Sequence, residues 1–159
     1  MIAHRYLLVL QDIVTHLVGV PVDWVITGSL GMRLQGVPVE VHDIDIQTNK
    51  QGAYAIEEAL NDFVSQPVCF VESGNIRSHF GKLLMSGIAV EIMGDIQKRL
   101  ESGNWEQPVD ITLNRCWAVL GDLCIPVLDL TYEYEAYRKM GRVEKAELLF
   151  RWLADNKGD

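Results

Sequence analysis

Two short stretches decide the fold of this chain: WVITGS at residues 24–29 and VHDIDI at residues 41–46. The first is a β-favouring apolar run that stops at a tight Thr27-Gly28-Ser29 turn, and the residues after it predict a short helix that begins at Ser29 and runs through Leu34. The second alternates with a period of two, which predicts a strand. A strand, a turn, a short helix and a second strand therefore follow one another.

The Thr27-Gly28-Ser29 turn is a candidate phosphate site. Backbone N–H groups at the start of a helix attract anions, and Gly28 has no side chain to block a ligand's approach. Ser29 either adds its hydroxyl to a phosphate oxygen or caps the helix. The third glycine of a dinucleotide-binding loop and the Gly-Lys-Ser/Thr of a Walker loop are both missing, which excludes those two classes.

Asp43 and Asp45 are two residues apart on the second predicted strand, so their carboxylates project to the same face. Like charges at such positions repel, and a hard divalent cation such as Mg²⁺ would offset that repulsion. A solvent-facing strand side is the alternative. Glu91 is the single charge in the apolar run Ile88–Met93, where it lies either on an exposed edge or at the same metal site.

The remaining pattern predicts an α/β (α+β) domain, a mixed β-sheet flanked by helices with a short C-terminal helical appendage. Residues 1–128 form the core in this interpretation, and residues 129–159 are helices packed on it. Apolar periodicity predicts helices at 4–18, 51–64, 130–139 and 143–153, a strand at 68–71, and strand pairs at 80–85/88–93 and 116–120/123–127.

Composition narrows the functional class. The chain has 159 residues, 48% of them apolar and 23% charged, which excludes wholesale disorder. Its formal net charge of −8 argues against a nucleic-acid partner, which requires a basic face. The three cysteines form no CxxC pair, so a disulfide framework and a zinc site are not expected. No long apolar run or signal sequence is recognised, so we expect a cytoplasmic protein with no membrane partner.

Gly28-Ser29, the spacer after it, Asp43-Ile44-Asp45-Ile46 and the later strand acid in Val90-Glu91-Ile92 together resemble the polymerase-beta-like nucleotidyltransferase superfamily. The region 134–147 also looks like the helical tail of its small members. The short chain is similar to the antibiotic-type (lincosamide or aminoglycoside) and minimal nucleotidyltransferases. The resemblance covers residues 24–93 most firmly.

The resemblance implies a nucleotidyltransferase fold and a Mg²⁺-dependent enzyme. Gly28 and Ser29 would hold the phosphates of a nucleoside triphosphate such as ATP, and Asp43, Asp45 and Glu91 would bind Mg²⁺ as catalytic residues. A nucleoside monophosphate would pass to a hydroxyl of a small molecule or a protein, with release of pyrophosphate. The basic residue that such enzymes place before the first aspartate is missing here.

Because that basic residue is missing, Arg33 and Lys82 are the candidate phosphate contacts. The alternative is that both side chains lie on the solvated surface. The tail residues 132–135 either line an acceptor cleft or form a solvated helix face. A second hypothesis is a nucleotidyltransferase-fold binding module, such as the antitoxin partner of a helical toxin. The expected macromolecular partner is such a toxin or a second copy of this chain in a homo-oligomer. The complete set of Asp43, Asp45 and Glu91 favours the enzyme, because a binding module has no need for a repulsive acidic cluster.

Overall fold

A computed structural model describes residues 2–156 of the chain. Within that range the helices and strands alternate much as the apolar pattern predicts. In chain order they are α1 His4–Leu17, β1 Trp24–Thr27, α2 Gly28–Leu34, β2 Ile44–Thr48, α3 Lys50–Ala59, β3 Val64–Ser73, β4 Ile76–Met85, β5 Ile88–Lys98, β6 Arg115–Leu120, β7 Leu123–Leu128, α4 Leu130–Lys139 and α5 Val143–Asp155. None of the described helices is long and apolar enough to cross a membrane.

The strands form one sheet in the order β3-β4-β5-β2-β1-β7-β6. The β2–β5 and β1–β7 pairs are parallel, and the other neighbouring pairs are antiparallel. The predicted mixed sheet with flanking helices is therefore confirmed. The two strands that carry the predicted acids, β2 and β5, are neighbours near the middle of the sheet.

Several predicted boundaries are wrong, and the strands predicted at 68–71, 80–85 and 88–93 are each longer in the structure, as β3, β4 and β5. The helix predicted at 51–64 ends at Ala59, and a 3₁₀ turn then leads into β3 at Val64. Val64 pairs with Leu83 of β4. It therefore belongs to a strand, although its spacing from the apolar residues before it also suits a helix. The strand predicted at 41–46 begins only at Ile44, which leaves Asp43 just before β2. Thr27, rather than Ser29, is the N-cap residue of α2.

Apolar packing covers both faces of the sheet. The larger core joins the sheet to α1 and α3, and it includes the side chains that alternate with Asp45 and Glu91 along their strands: Ile44, Ile46, Val90 and Ile92. A smaller core joins α2 to the tail helices α4 and α5, through Met32, Val37, Leu130, Tyr137, Ala146 and Leu149. The polar face of β2 and β5 thus lies towards the tail helices.

Gly94 allows α3 to pack closely against β5, the strand of Glu91. A Cβ atom at this position would lie 2.6 Å from the Asn49 carbonyl oxygen and 2.8 Å from Ala53 Cβ. We predict that Gly94→Ala lowers the free energy of unfolding by about 1–3 kcal/mol, because the overlap forces the helix away from the sheet. Urea denaturation followed by circular dichroism measures the change.

Ala89→Ser is the matched control, because it adds one heavy atom at an exposed position of the same strand. We expect it to change the free energy of unfolding by less than about 0.5 kcal/mol. Equal stability of Gly94→Ala and the wild type would contradict the close packing of α3 on β5.

Candidate active site

Strand register brings the polar groups of three strands into one row. Thr27 of β1 is paired with Asp45 of β2, and Asp45 is paired with Glu91 of β5. Paired residues on adjacent strands project to the same face, about 4.8 Å apart. Asp43 lies just before β2, and one carboxylate oxygen of each of Asp43, Asp45 and Glu91 lies within 4.8 Å of the others. The acids that the sequence singles out are therefore neighbours, and all three are half-buried.

Gly28 has its predicted place directly beside this acidic cluster. Its φ of +68° lies in the left-handed region that favours glycine. A Cβ atom there would also overlap the Oδ2 atom of Asp45. Both observations explain why a glycine follows β1. The backbone turns sharply at this position and lies too close to the Asp45 carboxylate to leave room for a side chain.

Glu133 of α4 is a fourth carboxylate at the site, and it is 4% exposed. Its Oε1 atom accepts hydrogen bonds from the Thr27 hydroxyl at 2.5 Å and from the Gly28 N–H at 3.0 Å. Its Oε2 atom is buried without a hydrogen-bond partner among the described residues. The Gly28 N–H, a predicted phosphate donor, is thus already bonded to a side chain of the tail.

The helical spacing of Glu133 is the signal that distinguishes the two alternatives given above for residues 132–135. Leu130, Glu133 and Tyr137 recur at three and four residues along α4, and all three are buried. The sequence is consistent with either a cleft lining or a solvated helix face for residues 132–135. In the structure Tyr132 and Glu133 line a cavity. An acid in the apolar stripe of a helix therefore indicates a buried polar contact.

Burial and mutual repulsion make two of these carboxyls weak acids. Desolvation, together with the nearby charges of Asp43 and Glu91, raises the pKa of Asp45 to about 8. Desolvation also raises the pKa of Glu133 to about 7, although its bonds to Thr27 and Gly28 act in the opposite direction. The site therefore disfavours the negative charge that its own residues carry.

Two cavities meet at the acidic cluster. The first, here named the sheet cavity, has a volume of about 230 Å³ and follows β5, with Glu91, Met93, Ile96, Lys98, Tyr132 and Glu133 in its lining. The second, here named the turn cavity, has a volume of about 510 Å³ and is lined by Ser29, His42, Asp43 and Lys145 among others. Both cavities share Gly28, Asp45, Tyr137 and Arg142. Asp45 thus lies at the junction, with Asp43 on one side and Glu91 on the other.

The basic residues of the turn cavity differ from the predicted ones. Neither Arg33 nor Lys82 is among the described residues that line the two cavities. Lys82 is the cross-strand partner of Glu91, and its ammonium lies 5.9 Å from the Phe80 ring centroid. Arg142 and Lys145 line the turn cavity instead, each with its charged group above the Tyr137 ring.

Comparison with known proteins agrees with this geometry. The family model of the aminoglycoside-2''-adenylyltransferases matches residues 9–148 of the chain. The chain belongs to this family of nucleotidyltransferases. The crystal structure of a candidate nucleotidyltransferase from Thermotoga maritima is 55% identical, with a TM-score of 0.87 over 98% of this chain and 97% of that one. No functionally curated protein matches the sequence significantly.

More distant solved structures share the fold. The lincosamide antibiotic adenylyltransferase LnuA, solved with lincomycin bound, is 13% identical with a TM-score of 0.57 over 93% of this chain and 96% of that one. The aminoglycoside enzyme ANT(2'')-Ia, solved with adenylyl-2''-tobramycin, is 10% identical with a TM-score of 0.57 over 94% of this chain and 90% of that one. The predicted small antibiotic-type nucleotidyltransferase is confirmed at the level of the family.

The buried Glu133 predicts a specific pH dependence of stability. Its pKa is about 7 in the folded protein against 4.5 for an ordinary glutamate, so the folded protein holds the proton that the unfolded chain has lost. Stability from this group is fully present below pH 4.5 and falls as the pH rises to about 7. We predict that the wild type loses up to roughly 3 kcal/mol relative to Glu133→Gln across that window.

Thermal unfolding of both proteins from pH 4.5 to 8.5, without divalent metal, measures this difference. Gln keeps an oxygen that accepts from Gly28 and Thr27. The difference between the two proteins therefore reports the charge of Glu133, including its repulsion of Asp45. Glu101→Gln, at an exposed position, is the control and is expected to follow the wild type. Parallel curves for the wild type and Glu133→Gln would contradict the raised pKa.

Proposed function

We propose that this protein is a Mg²⁺-dependent nucleotidyltransferase that passes a nucleoside monophosphate from ATP to a hydroxyl of a small-molecule acceptor. The observation that carries the proposal is the position of Asp45, at the junction of two cavities, with Asp43 on one side and Glu91 on the other. A two-substrate transfer requires such an arrangement, because the two reactants must meet at one point from opposite sides.

The donor set of the acidic cluster fits Mg²⁺. Hard divalent cations prefer carboxylate oxygens, and Mg²⁺ also binds substrate phosphates in such sites. Asp43, Asp45 and Glu91 offer oxygens within 4.8 Å of one another. Burial, and after it repulsion by Asp43 and Glu91, raises the pKa of Asp45, and a cation offsets that repulsion. When bound, Mg²⁺ neutralises charge on the attacking and leaving oxygens of a phosphoryl transfer.

We place the triphosphate in the turn cavity. Ser29 is at the start of α2, and Arg142 and Lys145 come from the start of α5. Their positive charges suit phosphate oxygens. The same cavity is also lined by the carboxylates of Glu40, Asp43, Asp45 and Glu144. Gly28 contributes the close approach of the backbone, since its N–H is bonded to Glu133. Arg33 and Lys82 are more remote candidates for the same role.

We place the acceptor in the sheet cavity, where Glu91 lies beside Asp45. The acceptor oxygen attacks the α-phosphorus of ATP, and the Glu91 carboxylate takes the hydroxyl proton. A new bond forms between the acceptor oxygen and the α-phosphorus, while the bond from the α-phosphorus to the bridging oxygen of the β-phosphate breaks. Pyrophosphate leaves on the side of Ser29, Arg142 and Lys145, which is opposite to the attack.

The relatives support the choice of nucleotide and acceptor. The family model is that of adenylyltransferases, and the bound molecules of the two distant structures are lincomycin and adenylyl-2''-tobramycin. A small hydroxyl compound is accordingly the acceptor class that we propose. The free cysteines Cys69, Cys116 and Cys124 suit the reducing cytoplasm, where we place the enzyme.

Calorimetric titration with ATP tests the metal-dependent site. We predict that the wild type binds ATP with Mg²⁺ present and that Asp43→Asn/Asp45→Asn loses at least about tenfold in affinity, since two of the cation's oxygen ligands are replaced by neutral amides. Asp122→Asn, an exposed acid in the turn between β6 and β7, is the control. Equal binding with and without Mg²⁺ would contradict the proposal, and no binding at all would favour the binding-module hypothesis.

The basic residues of α5 provide a second test. We predict that Arg142→Gln and Lys145→Gln each weaken ATP binding by about 1.5–3 kcal/mol, the range of a hydrogen bond to a charged group. Arg33→Gln and Lys82→Gln are the comparison variants, and we expect little effect because neither side chain lines the turn cavity. A larger loss of ATP affinity in Arg33→Gln and Lys82→Gln than in Arg142→Gln and Lys145→Gln would contradict the placement of the triphosphate in the turn cavity.

A further inference from the structure

A bulge in β5 extends the sheet cavity beyond the acidic cluster. Asp95 has a φ of +51°, and the pairing with β4 passes from His79 opposite Gly94 to Arg77 opposite Gln97. Strand β5 therefore contains one more residue than β4 over this interval. An extra residue reverses which side chains face each side of a strand. Ile96 and Lys98 consequently line the same cavity as Glu91 and Met93.

Lys98 is a buried lysine that the reaction proposed above does not use. Its residue is 7% exposed, and the cavity around it is lined by the apolar side chains of Ile76, Ile96 and Met140. Its ammonium lies 5.7 Å from the centroid of the Tyr132 ring. Among the described residues it makes no salt bridge and no side-chain hydrogen bond. Burial lowers its pKa, as expected for a charge without a close partner.

The charges near Lys98 leave this end of the cavity positive. Glu106 attracts Lys98 from beyond salt-bridge distance, but its Oε2 atom is paired with the Lys139 ammonium at 3.5 Å. Glu106 is not in the described lining of the cavity, and its Oε1 atom is buried without a partner. Two ammonium groups thus share one carboxylate at this end, whereas Asp45, Glu91 and Glu133 are at the other end.

We propose that Lys98 binds a carboxylate of the acceptor, so that the enzyme adenylylates the hydroxyl of an acidic small molecule. The inference rests on the proposed function, because it takes the hydroxyl to lie at Glu91. A carboxylate beside Lys98 supplies a charge partner to a lysine whose side chain is largely buried and whose ammonium makes no salt bridge among the described residues. Glu91 and Lys98 are seven residues apart along the bulged strand β5, which separates their Cα atoms by about 20 Å. The acceptor is therefore elongated, with its acid and its hydroxyl at opposite ends.

The volume of the sheet cavity favours a slender ligand. Its 230 Å³ is below the range of about 300–1,000 Å³ that is typical of pockets for drug-sized molecules. Its walls between the two charged ends include the apolar side chains of Met93 and Ile96 from β5 and the polar side chain of Gln47, the cross-strand neighbour of Met93. A methylene chain between the acid and the hydroxyl therefore matches the narrow shape of the cavity and the apolar part of its wall.

The test uses pairs of probes that differ in one charge: ω-hydroxy carboxylic acids of increasing chain length and their primary amides. Binding to the full chain is followed without nucleotide through the NMR signal of the Lys98 ε-methylene group, assigned by its absence in Lys98→Met. We expect one chain length to bind at least about tenfold tighter as the acid than as the amide. A thermal melt checks that Lys98→Met is folded, and the apolar side chains of Ile76, Ile96 and Met140 in the same lining can accommodate a methionine.

Lys98→Met, followed through the signals of the Met93 methyl group, is expected to bind the acid no better than the amide. Lys50→Met, an exposed lysine at the start of α3, is the matched control and should keep the preference. Equal affinity for acid and amide, binding of neither, or a preference that persists in Lys98→Met would each overturn the inference. Because these measurements need neither ATP nor turnover, acid binding without adenylyl transfer would reject the proposed function and leave the Lys98 site in place.

Discussion

Strand pairing holds three carboxylates close together although their charges oppose it. Asp45 is between Thr27 and Glu91 in the register of β1, β2 and β5, and Asp43 is brought in by the segment before β2. The opposite faces of the same strands bury Ile44, Ile46, Val90 and Ile92 in the larger core. A slip of one residue would turn these apolar side chains towards the cavities, so the core enforces the register and the register enforces the acidic cluster. The raised pKa of Asp45 is the energetic consequence.

The tail helices complete the site in addition to covering the sheet. Glu133 connects α4 to the end of β1 through Thr27 and Gly28, and α5 brings Arg142 and Lys145 to the turn cavity. The smaller core between α2, α4 and α5 fixes these positions. The tail therefore supplies the positive charge that the proposed triphosphate site requires, while the strands supply the negative charge for the cation.

Much of the fold could be predicted from local patterns. The apolar periodicity of α1, α4 and α5 and the alternation of the β4–β5 and β6–β7 pairs agree with the structure. The boundaries failed where tertiary contacts compete with local preference, as at Val64, which pairs with Leu83 rather than extending α3. Asp43, Asp45 and Glu91 can be recognised from the sequence because a charged residue within an apolar strand pattern is unusual. Arg142, Lys145 and Lys98 are not recognised as site residues from sequence, because the surrounding sequence resembles an ordinary helix face or strand end. Residues 132–135, which include Glu133, are consistent with both a cleft lining and a solvated helix face.

The amino-acid sequence alone determined the types of groups at the centre: a glycine turn, an Asp-x-Asp pair and a later strand acid, each recognisable from spacing and composition. Tertiary structure decided which basic residues accompany them, since Arg142 and Lys145 are far from Ser29 along the chain and meet it only through helix packing. It also decided that Lys98 faces the cavity, because a single extra residue in β5 reverses the strand's two faces. Spacing along a regular element can be read from sequence, whereas contacts between distant elements and irregularities within a strand depend on the assembled sheet.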